Sequence, residues 1–547
     1  MKKILISLAA LLVCGSMYAQ IDPTVEVSRQ YKVNIADIER PRTADAAVDD
    51  SLQRFNVNFD YSIFNRPYTD LYEFTPYQTD SISKVTHRRP PFIMAQLGSQ
   101  FPLAPEFMLK SQLVTKPRLN IGLDADFKGA FAALDYLGQE DALGVLRLNG
   151  GLNGTLKHAW KKGELTLGVG YRSDAYTDAY MDNGLSHNVN SLEVAFNVSS
   201  ADPQENSVYY NFDFNFVTAA KTLSGLPQMD TTYDNSKMSI RGTLGTSFER
   251  HRIYVNMIYQ NAVSGTGDNK LNVGLLEFMP IYEYVLFPFK VRAGARFGNK
   301  YIGADAATTI HPELDLKVEV LKNTLWLRGV LSGGNELNSL VDYFHQAPWL
   351  CNGLLGDVNN ASQVIGVRNL ESKISLESII AGRFALSPFI AYNSYSNKMH
   401  FRTAFTDTDL PVLLPMYSDY AVTQLGVETS WKSRNLTVTG NLVHNNAFNG
   451  DDHNVYMVPE WQLAASTEFN VKRRIFLNAA YTFESRRTTW GGVIPDYSDL
   501  TVTLTGVINR HFSVYVKGGN LLNNMNYRYF EIPELPRNIG GGLRINF

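Results

Sequence analysis

The stretch "SVYYNFDFNFV", residues 207–217, alternates between apolar and polar side chains over most of its length. Its apolar positions are Val208, Tyr210, Phe212, Phe214 and Phe216. Its intervening polar positions are Asn211, Asp213 and Asn215. Because successive side chains of a β-strand point to opposite faces, this pattern predicts a strand with one continuous apolar face. That face requires an apolar environment, either a protein core or a lipid bilayer.

The same alternation recurs along the chain, for example in "ELTLGVGY" (164–171), "FKVRAGARF" (289–297) and "NLTVTGNL" (435–442). Ten very short, polar turns are predicted between paired segments. They lie near residues 115–118, 161–163, 201–206, 249–252, 286–288, 321–323, 386–388, 432–435, 471–474 and 509–511. Ten turns join twenty strands, and one further strand at each end raises the estimate to about 22, in a range of roughly 16–22.

Between those pairs run longer connections rich in Gly, Asn, Asp and Pro. Examples are residues 177–188, 223–235, 337–370, 398–419, 448–458 and 523–536. Short turns on one side and long loops on the other are typical of transmembrane barrels of outer membranes. A stack of soluble β-sandwiches explains any single strand but gives no reason for this asymmetry. We therefore predict an all-β, antiparallel transmembrane barrel with short periplasmic turns, long extracellular loops and the apolar face of residues 207–217 towards lipid.

The first residues read as an export signal. "MKK" is a basic start, "ILISLAALLV" is a short apolar region, and cleavage is predicted after Ala19. A lipoprotein interpretation of Cys14 is the alternative, although Val13 stands where a small residue is expected. We predict a signal peptide at 1–19, a largely irregular periplasmic or lumenal segment at 20–91 and the barrel at 92–547. The expected location is the outer membrane of a Gram-negative bacterium.

Composition and motifs exclude several classes of function. A formal net charge of −3 argues against a nucleic-acid binder that works through a basic surface. The chain contains no G-x-S-x-G, H-E-x-x-H, Walker or C-x-x-C motif. The loop residues Asp451, Asp452 and His453 could ligate a divalent cation, but a solvated loop tip is the favoured interpretation. We therefore predict no enzymatic activity, no catalytic residues, no bound metal and no cofactor.

The last residues, "HFSVYVKGGNLLNNMNYRYFEIPELPRNIGGGLRINF", resemble the C-terminus of a TonB-dependent receptor. The matching positions are Asn520, Leu521, Leu522, Asn523, Tyr527, Tyr529, Pro536, Arg537, Asn538 and Phe547. Leu543, Ile545 and Phe547 share one face of the final strand, which resembles the signal read by outer-membrane assembly machinery. The resemblance implies a barrel in the outer membrane. Such receptors also carry an N-terminal plug domain, and residues 20–91 show neither a plug-like pattern nor a persuasive TonB box.

Charged side chains on the inward phase of the predicted strands form a candidate solute path. They are Arg172, Asp213, Lys290, Arg292, Arg296, Arg328, Glu468, Glu484 and Lys517. Three of the basic residues share the strand at 289–297 and could form a stripe that favours anions. The competing interpretation is a hydrated wall of mixed charge.

Two segments are unusually apolar for surface loops, namely residues 337–370 and "LPVLLPMY" at 410–417. Each could fold into the lumen as a constriction or dock a partner. The leading hypothesis is a channel or transporter for small polar solutes, with lipid and assembly machinery as partners and no nucleic acid. The alternative is a non-enzymatic structural or assembly component that recruits periplasmic or surface proteins.

Overall fold

One closed sheet of 22 antiparallel strands forms the wall of the protein. The structure, a computed structural model, describes residues 92–135, 142–178, 184–201, 207–225, 231–266, 269–303, 305–351, 365–405, 410–449 and 455–547. Neighbours in sequence pair with each other, and the first strand closes the ring on the last, with Met94 opposite Asn546 and Phe101 opposite Ile539. The predicted all-β barrel of about 22 strands is confirmed.

The strands are β1 (Ile93–Phe101), β2 (Glu106–Lys116), β3 (Leu119–Leu134), β4 (Leu143–Trp160), β5 (Gly163–Asp178), β6 (Ser186–Ser200), β7 (Ser207–Ser224), β8 (Thr231–Phe248), β9 (His251–Thr266), β10 (Asn269–Leu286), β11 (Phe289–Ile302), β12 (Asp305–Leu321), β13 (Leu325–Leu337), β14 (Ile365–Ile380), β15 (Phe384–Phe405), β16 (Pro411–Lys432), β17 (Leu436–Phe448), β18 (Trp461–Val471), β19 (Ile475–Glu484), β20 (Arg487–Thr488), β21 (Val493–Ile494), β22 (Tyr497–Val507), β23 (Phe512–Gly519), β24 (Tyr527–Tyr529), β25 (Ile532–Pro533) and β26 (Asn538–Asn546). The pairs β20–β21 and β24–β25 are small hairpins outside the barrel sheet. A single turn of 3-10 helix, Leu340–Asp342, follows β13. Among the described residues, no helix has the length and apolar character needed to cross a membrane.

The outer face of the barrel carries the apolar side chains that the alternation predicts. In β7, Val208 is 65% exposed and Phe212 is 41% exposed. Phe289 and Phe297 of β11 and Leu442 of β17 are exposed as well. Because backbone groups of a closed sheet satisfy one another, such a wall can stand in hydrocarbon without unpaired polar groups.

Strand ends bracket nine of the ten predicted short turns. The prediction at residues 386–388 is wrong, because the turn lies between Ile380 and Phe384. Ala381 there adopts a φ of 52° and Gly382 a φ of 64°, as a tight turn requires. Pro388 suggested a turn because it lacks a backbone donor, yet it lies within β15 opposite Val427 of β16.

The predicted loop at 398–419 is also wrong in extent, since β15 continues to Phe405 and β16 begins at Pro411. Each of these two strands is 22 residues long. Their facing ends carry buried apolar side chains on the inner face, among them Met399 and Leu413. The apolar and polar positions therefore no longer alternate, and the strand signal is lost.

The seam between β1 and β26 depends on glycine. A Cβ atom at Gly540 would lie 2.1 Å from the Ser99 carbonyl oxygen, and one at Gly542 would lie 2.1 Å from the Leu97 carbonyl oxygen. The last residue extends the ladder, because the Phe547 amide donates to the Ile93 carbonyl at 2.8 Å. Close approach of the two strands thus explains the "GGG" run in the final strand.

Several predictions fall on residues outside the described ranges. They include the signal peptide, the segment 20–91 with the question of a plug, and the loop cluster at 451–453.

Candidate functional site

The connection after β13 enters the barrel. We call its described part, residues 338–351, the mouth loop. Leu340, Phe344 and Leu350 are fully buried, although they lie in a connection between transmembrane strands. Burying a large apolar side chain contributes about 1.5–3 kcal/mol, so these residues hold the loop firmly in place.

The apolar side chains of the mouth loop pack against the inner face of β6, β7, β9 and β10. Their buried cluster includes Val189 of β6, Ala219 of β7, Ala262 of β9 and Val273 of β10. These side chains lie on the inner face of the wall, as do the polar residues beside the loop. The described part of residues 337–370 therefore runs from β13 towards β6 and packs within the chain, while constriction of the lumen stays a prediction.

The second apolar segment, 410–417, completes the same packing. Leu350 and Leu413 form a parallel β-bridge. The Cys351 amide donates to the Leu413 carbonyl at 2.8 Å, and the Leu413 amide donates to the Trp349 carbonyl at 2.9 Å. Burial raises the pKa of the Cys351 thiol, which makes the thiolate scarce and the side chain inert. Both apolar segments are thus used within the chain wherever the structure describes them.

Polar contacts fix the mouth loop at specific points of the far wall. Asp342 forms an ion pair with Lys237 of β8. The Trp349 indole N–H donates to the Asp178 carboxylate of β5 at 2.8 Å. Asp178 is 1% exposed, so this carboxylate depends on partners inside the protein.

His345 joins the loop to two strands at once. Its Nδ1 atom lies 2.6 Å from the Asp174 carboxylate of β5, and its Nε2 atom lies 2.6 Å from the Ser191 hydroxyl of β6. These are the two hydrogen bonds of a Ser-His-Asp triad. Ser191, however, lies in mid-strand between Arg172 of β5 and Ala219 of β7, where backbone N–H groups belong to the ladder and leave no oxyanion hole. The arrangement holds the loop in place.

Trp349 also links the mouth loop, through Arg147, to the connection between β23 and β26. The guanidinium of Arg147 lies 5.0 Å from the centre of the Trp349 ring. The Arg147 Nη2 atom donates to the Pro533 carbonyl at 3.0 Å. Tyr176 packs its ring edge-on against Trp349 with centroids 5.5 Å apart. Two loops that are distant in sequence therefore meet at one tryptophan.

The predicted path residues on β11 and β13 have partners on adjacent strands, apart from Arg292, whose partner lies on β9. These contacts are Lys290–Glu283 (3.1 Å), Arg292–Tyr254 (2.9 Å), Arg296–Glu277 (3.5 Å), Arg296–Glu313 (2.6 Å) and Arg328–Asp315 (2.7 Å). The sequence missed the acidic partners because they belong to β10 and β12, whose register cannot be read from one strand. We call this region the charge-paired wall. Its predicted preference for anions stays a prediction.

The other predicted path residues are dispersed around the barrel. Their ion pairs are Arg172–Asp174 (3.3 Å), Glu484–Arg487 (3.3 Å) and Lys517–Glu106 (3.9 Å). Asp213 lines a cavity of about 280 Å³ together with Lys237 and Asp342 of the mouth loop contact. Glu468 has no ion-pair partner in the part of the chain that the structure describes.

A cavity of about 440 Å³ lies where the first and last strands meet. We call it the seam cavity. Strands β1–β5 and β22–β23 line it together with the connection at 520–535, and the mouth loop contributes Gln346, Pro348 and Trp349. A second cavity of about 540 Å³ shares Glu106, Lys128 and Lys517 with it. Of the predicted path residues, Lys517 lines both cavities.

Solved structures of a siderophore receptor and of two metal transporters share this fold. The siderophore receptor PirA from Acinetobacter baumannii aligns with a TM-score of 0.63 and 12% identity over 83% of this chain and 80% of that chain. The FrpB iron transporter from Neisseria meningitidis aligns with a TM-score of 0.63 and 7% identity over 84% and 82%. The copper transporter OprC aligns with a TM-score of 0.62 and 8% identity over 83% and 82%.

No protein-family model and no curated protein matches this chain. The structural neighbours are receptors and transporters by name, and identities this low establish the fold alone. The resemblance of the C-terminal residues to TonB-dependent receptors is confirmed at that level. The chain is an outer-membrane β-barrel of 22 strands with the fold of TonB-dependent receptor barrels.

Proposed function

We propose that the protein is a gated transporter for small polar solutes and that the mouth loop is its gate. The observation that carries the proposal is the packing of residues 338–351 onto charged residues of β4–β8. The loop is held by its buried apolar side chains and by these polar contacts, all of them separate from the hydrogen-bond ladder of the wall, so it can detach without unfolding the wall. The solute would then enter beside the loop.

The seam cavity and the second cavity supply the route. Their shared residues, Glu106, Lys128 and Lys517, lie on β2, β3 and β23. Trp349 of the mouth loop lines the seam cavity, so release of the loop would open that cavity to the outside. Solutes would pass along a wall of amides and paired charges, which suits polar molecules of small size.

The test is single-channel conductance of the full chain in a planar bilayer. The charges of the Asp342–Lys237 ion pair are exchanged one at a time and then together. Lys237→Glu and Asp342→Lys each place like charges together, and we expect several-fold more open time in both. The double exchange restores an attractive pair and should return open time towards that of the wild type. A charge effect on the solute alone would not be reversed in this way.

A covalent lock provides the opposite perturbation. Leu350 and Leu413 face each other in a β-bridge, so cysteines at both positions can form a disulfide without large movement. Cys351→Ser is included to leave a single thiol pair. We expect openings to disappear on oxidation and to return on reduction.

A version lacking residues 20–91 is recorded beside these variants, so that any effect of that segment is separated from the effect of the loop. Steady conductance that ignores both the charge exchange and the lock would overturn the gate. Silence in every variant, with folding verified by heat-modifiable gel migration, would overturn transport. Stable co-purifying proteins would then favour a structural or assembly role.

A further inference from the structure

Among the residues that the structure describes, Arg147 is a buried cation without an anionic partner. Its side chain is on β4, and the residue is 8% exposed. Nη2 donates to the Pro533 carbonyl, while the buried Nε atom has no hydrogen-bond partner among the described residues. No carboxylate in the described ranges forms an ion pair with this guanidinium, and a buried donor left unpaired is costly. Arg147 lines the seam cavity.

The carboxylates of the seam cavity are occupied elsewhere. Their contacts are Glu106 with Lys517 (3.9 Å), Glu534 with Arg528 (3.0 Å) and Asp499 with the Asn520 amide (2.9 Å). Lys128, which also lines the cavity, has no ion pair in the described part of the chain. The lining has four cations (Lys128, Arg147, Lys517 and Arg528) and three carboxylates (Glu106, Asp499 and Glu534), a surplus of one positive charge, and neither Arg147 nor Lys128 forms an ion pair in the described part of the chain.

The rest of the lining is suited to hydroxyl groups. Gln100, Asn149 and Gln346 present amides, which can donate and accept hydrogen bonds. Tyr176 and Trp349 add aromatic surface beside Arg147. A volume of about 440 Å³ lies within the usual range of small-molecule sites, roughly 300–1,000 Å³.

We infer that the seam cavity binds a small polyhydroxylated carboxylate, such as a sugar acid, whose carboxylate is held by Arg147. A carboxylate in the cavity can accept from the guanidinium of Arg147, because the Pro533 carbonyl uses only part of its donor capacity. The hydroxyl groups contact the amides and phenols. This inference rests on the proposed transport function, because it names the class of solute that the gate would admit.

The experiment is calorimetric titration of the detergent-purified full chain with D-glucuronate, D-glucose and acetate at low ionic strength. We expect glucuronate to bind at least about tenfold more tightly than the other two, because only it combines the anion with the hydroxyl groups. Equal binding of glucose and glucuronate would overturn the role of the anion. Equal binding of acetate and glucuronate would overturn the role of the hydroxyl groups.

Substitutions locate the site. Arg147→Gln should weaken glucuronate binding by about tenfold to a hundredfold, and Arg147→Lys should retain part of it because the charge remains. Lys373→Gln is the matched control, since this lysine of β14 pairs with Glu428 of β16 and does not line the cavity. Equal affinities in Arg147→Gln and Lys373→Gln would overturn the assignment. If Arg147→Gln fails to fold, Arg147→Lys and the comparison of ligands still decide the question.

The same titrations are carried out on Lys237→Glu, because in the wild type a closed gate could keep the ligand out of the cavity. Binding in that variant supports the inference even where the wild type binds slowly, and absence of binding in both overturns it. Conductance is recorded on the same preparations. If open time responds to the charge exchange but glucuronate does not bind, the solute class is rejected and the proposed function stands. If glucuronate binds but open time does not respond, only the gate is rejected.

Discussion

The charge-paired wall of β10–β13 and the mouth loop both rely on polar contacts to carboxylates, but these contacts have different structural effects in the two regions. In the wall, Arg328 and Asp315 meet across neighbouring strands that the backbone ladder already holds together. At the mouth, His345 and Asp174 are 171 residues apart and belong to elements that the ladder does not join. An ion pair between laddered strands adds little to the structure, whereas a contact between unjoined elements decides where a loop lies.

The largest effect is expected from Trp349→Ala. The substitution removes a buried aromatic ring, the donor to Asp178 and the surface beneath Arg147. Truncating a buried tryptophan costs about 3–5 kcal/mol, the largest loss expected from any single side chain of the loop. Hydrogen exchange measured by mass spectrometry should show residues 338–351 losing protection while the barrel strands keep theirs.

Trp431→Ala is the control for that experiment. Trp431 lies on β16 and is 47% exposed, so its loss should leave the mouth loop protected. If both variants lose protection in the mouth loop, the loss is not specific to contacts of the loop, and the contrast between wall and mouth loop is contradicted.

A smaller effect is expected at His345. Asp174→Ala removes a charged acceptor from the imidazole and should weaken loop docking by about 1.5–3 kcal/mol. Ser191→Ala removes a neutral partner and should cost about 1 kcal/mol. The readout is the exchange rate of the loop amides in the two variants. A larger effect of Ser191→Ala would show that the carboxylate is not the main anchor.

Substitutions in the charge-paired wall should change barrel stability only slightly. Arg328→Gln and Asp315→Asn, alone and together, form a double-mutant cycle on barrel stability followed by heat-modifiable migration. We expect a coupling energy of about 1 kcal/mol or less, because both side chains keep some contact with solvent. Exchange in the mouth loop should not change. A coupling several times larger would remove the distinction between wall and mouth.

The smallest effect is expected on the outer face. Phe212→Leu exchanges one apolar side chain for another towards lipid, and barrel stability should change by less than about 0.5 kcal/mol. Phe344→Leu is its counterpart in the buried mouth loop, where the same exchange must fit a packed site and should cost about 1 kcal/mol or more. The two are compared in one unfolding assay. Equal costs would indicate that the loop is packed no better than the lipid-facing surface.

The two failed predictions have separate causes. At 398–419 the strands continue, and their inner faces become apolar where they contact the mouth loop, so the two-residue period disappears. At 386–388 a proline suggests a turn, although it lies within a strand whose turn comes a few residues earlier. The first error arose from contact with another element, and the second from one residue that is atypical of strands.

The sequence by itself determined the barrel, the number of strands and the faces towards lipid, because alternation with a period of two is a local property and repeats on every strand. It also indicated that residues 337–370 are too apolar for a free surface loop. Only the tertiary structure decided where that loop lies and which charges are paired. Arg147 and Pro533, 386 residues apart, meet because the first and last strands close one ring. Contacts of this kind depend on closure and register, which no single strand encodes.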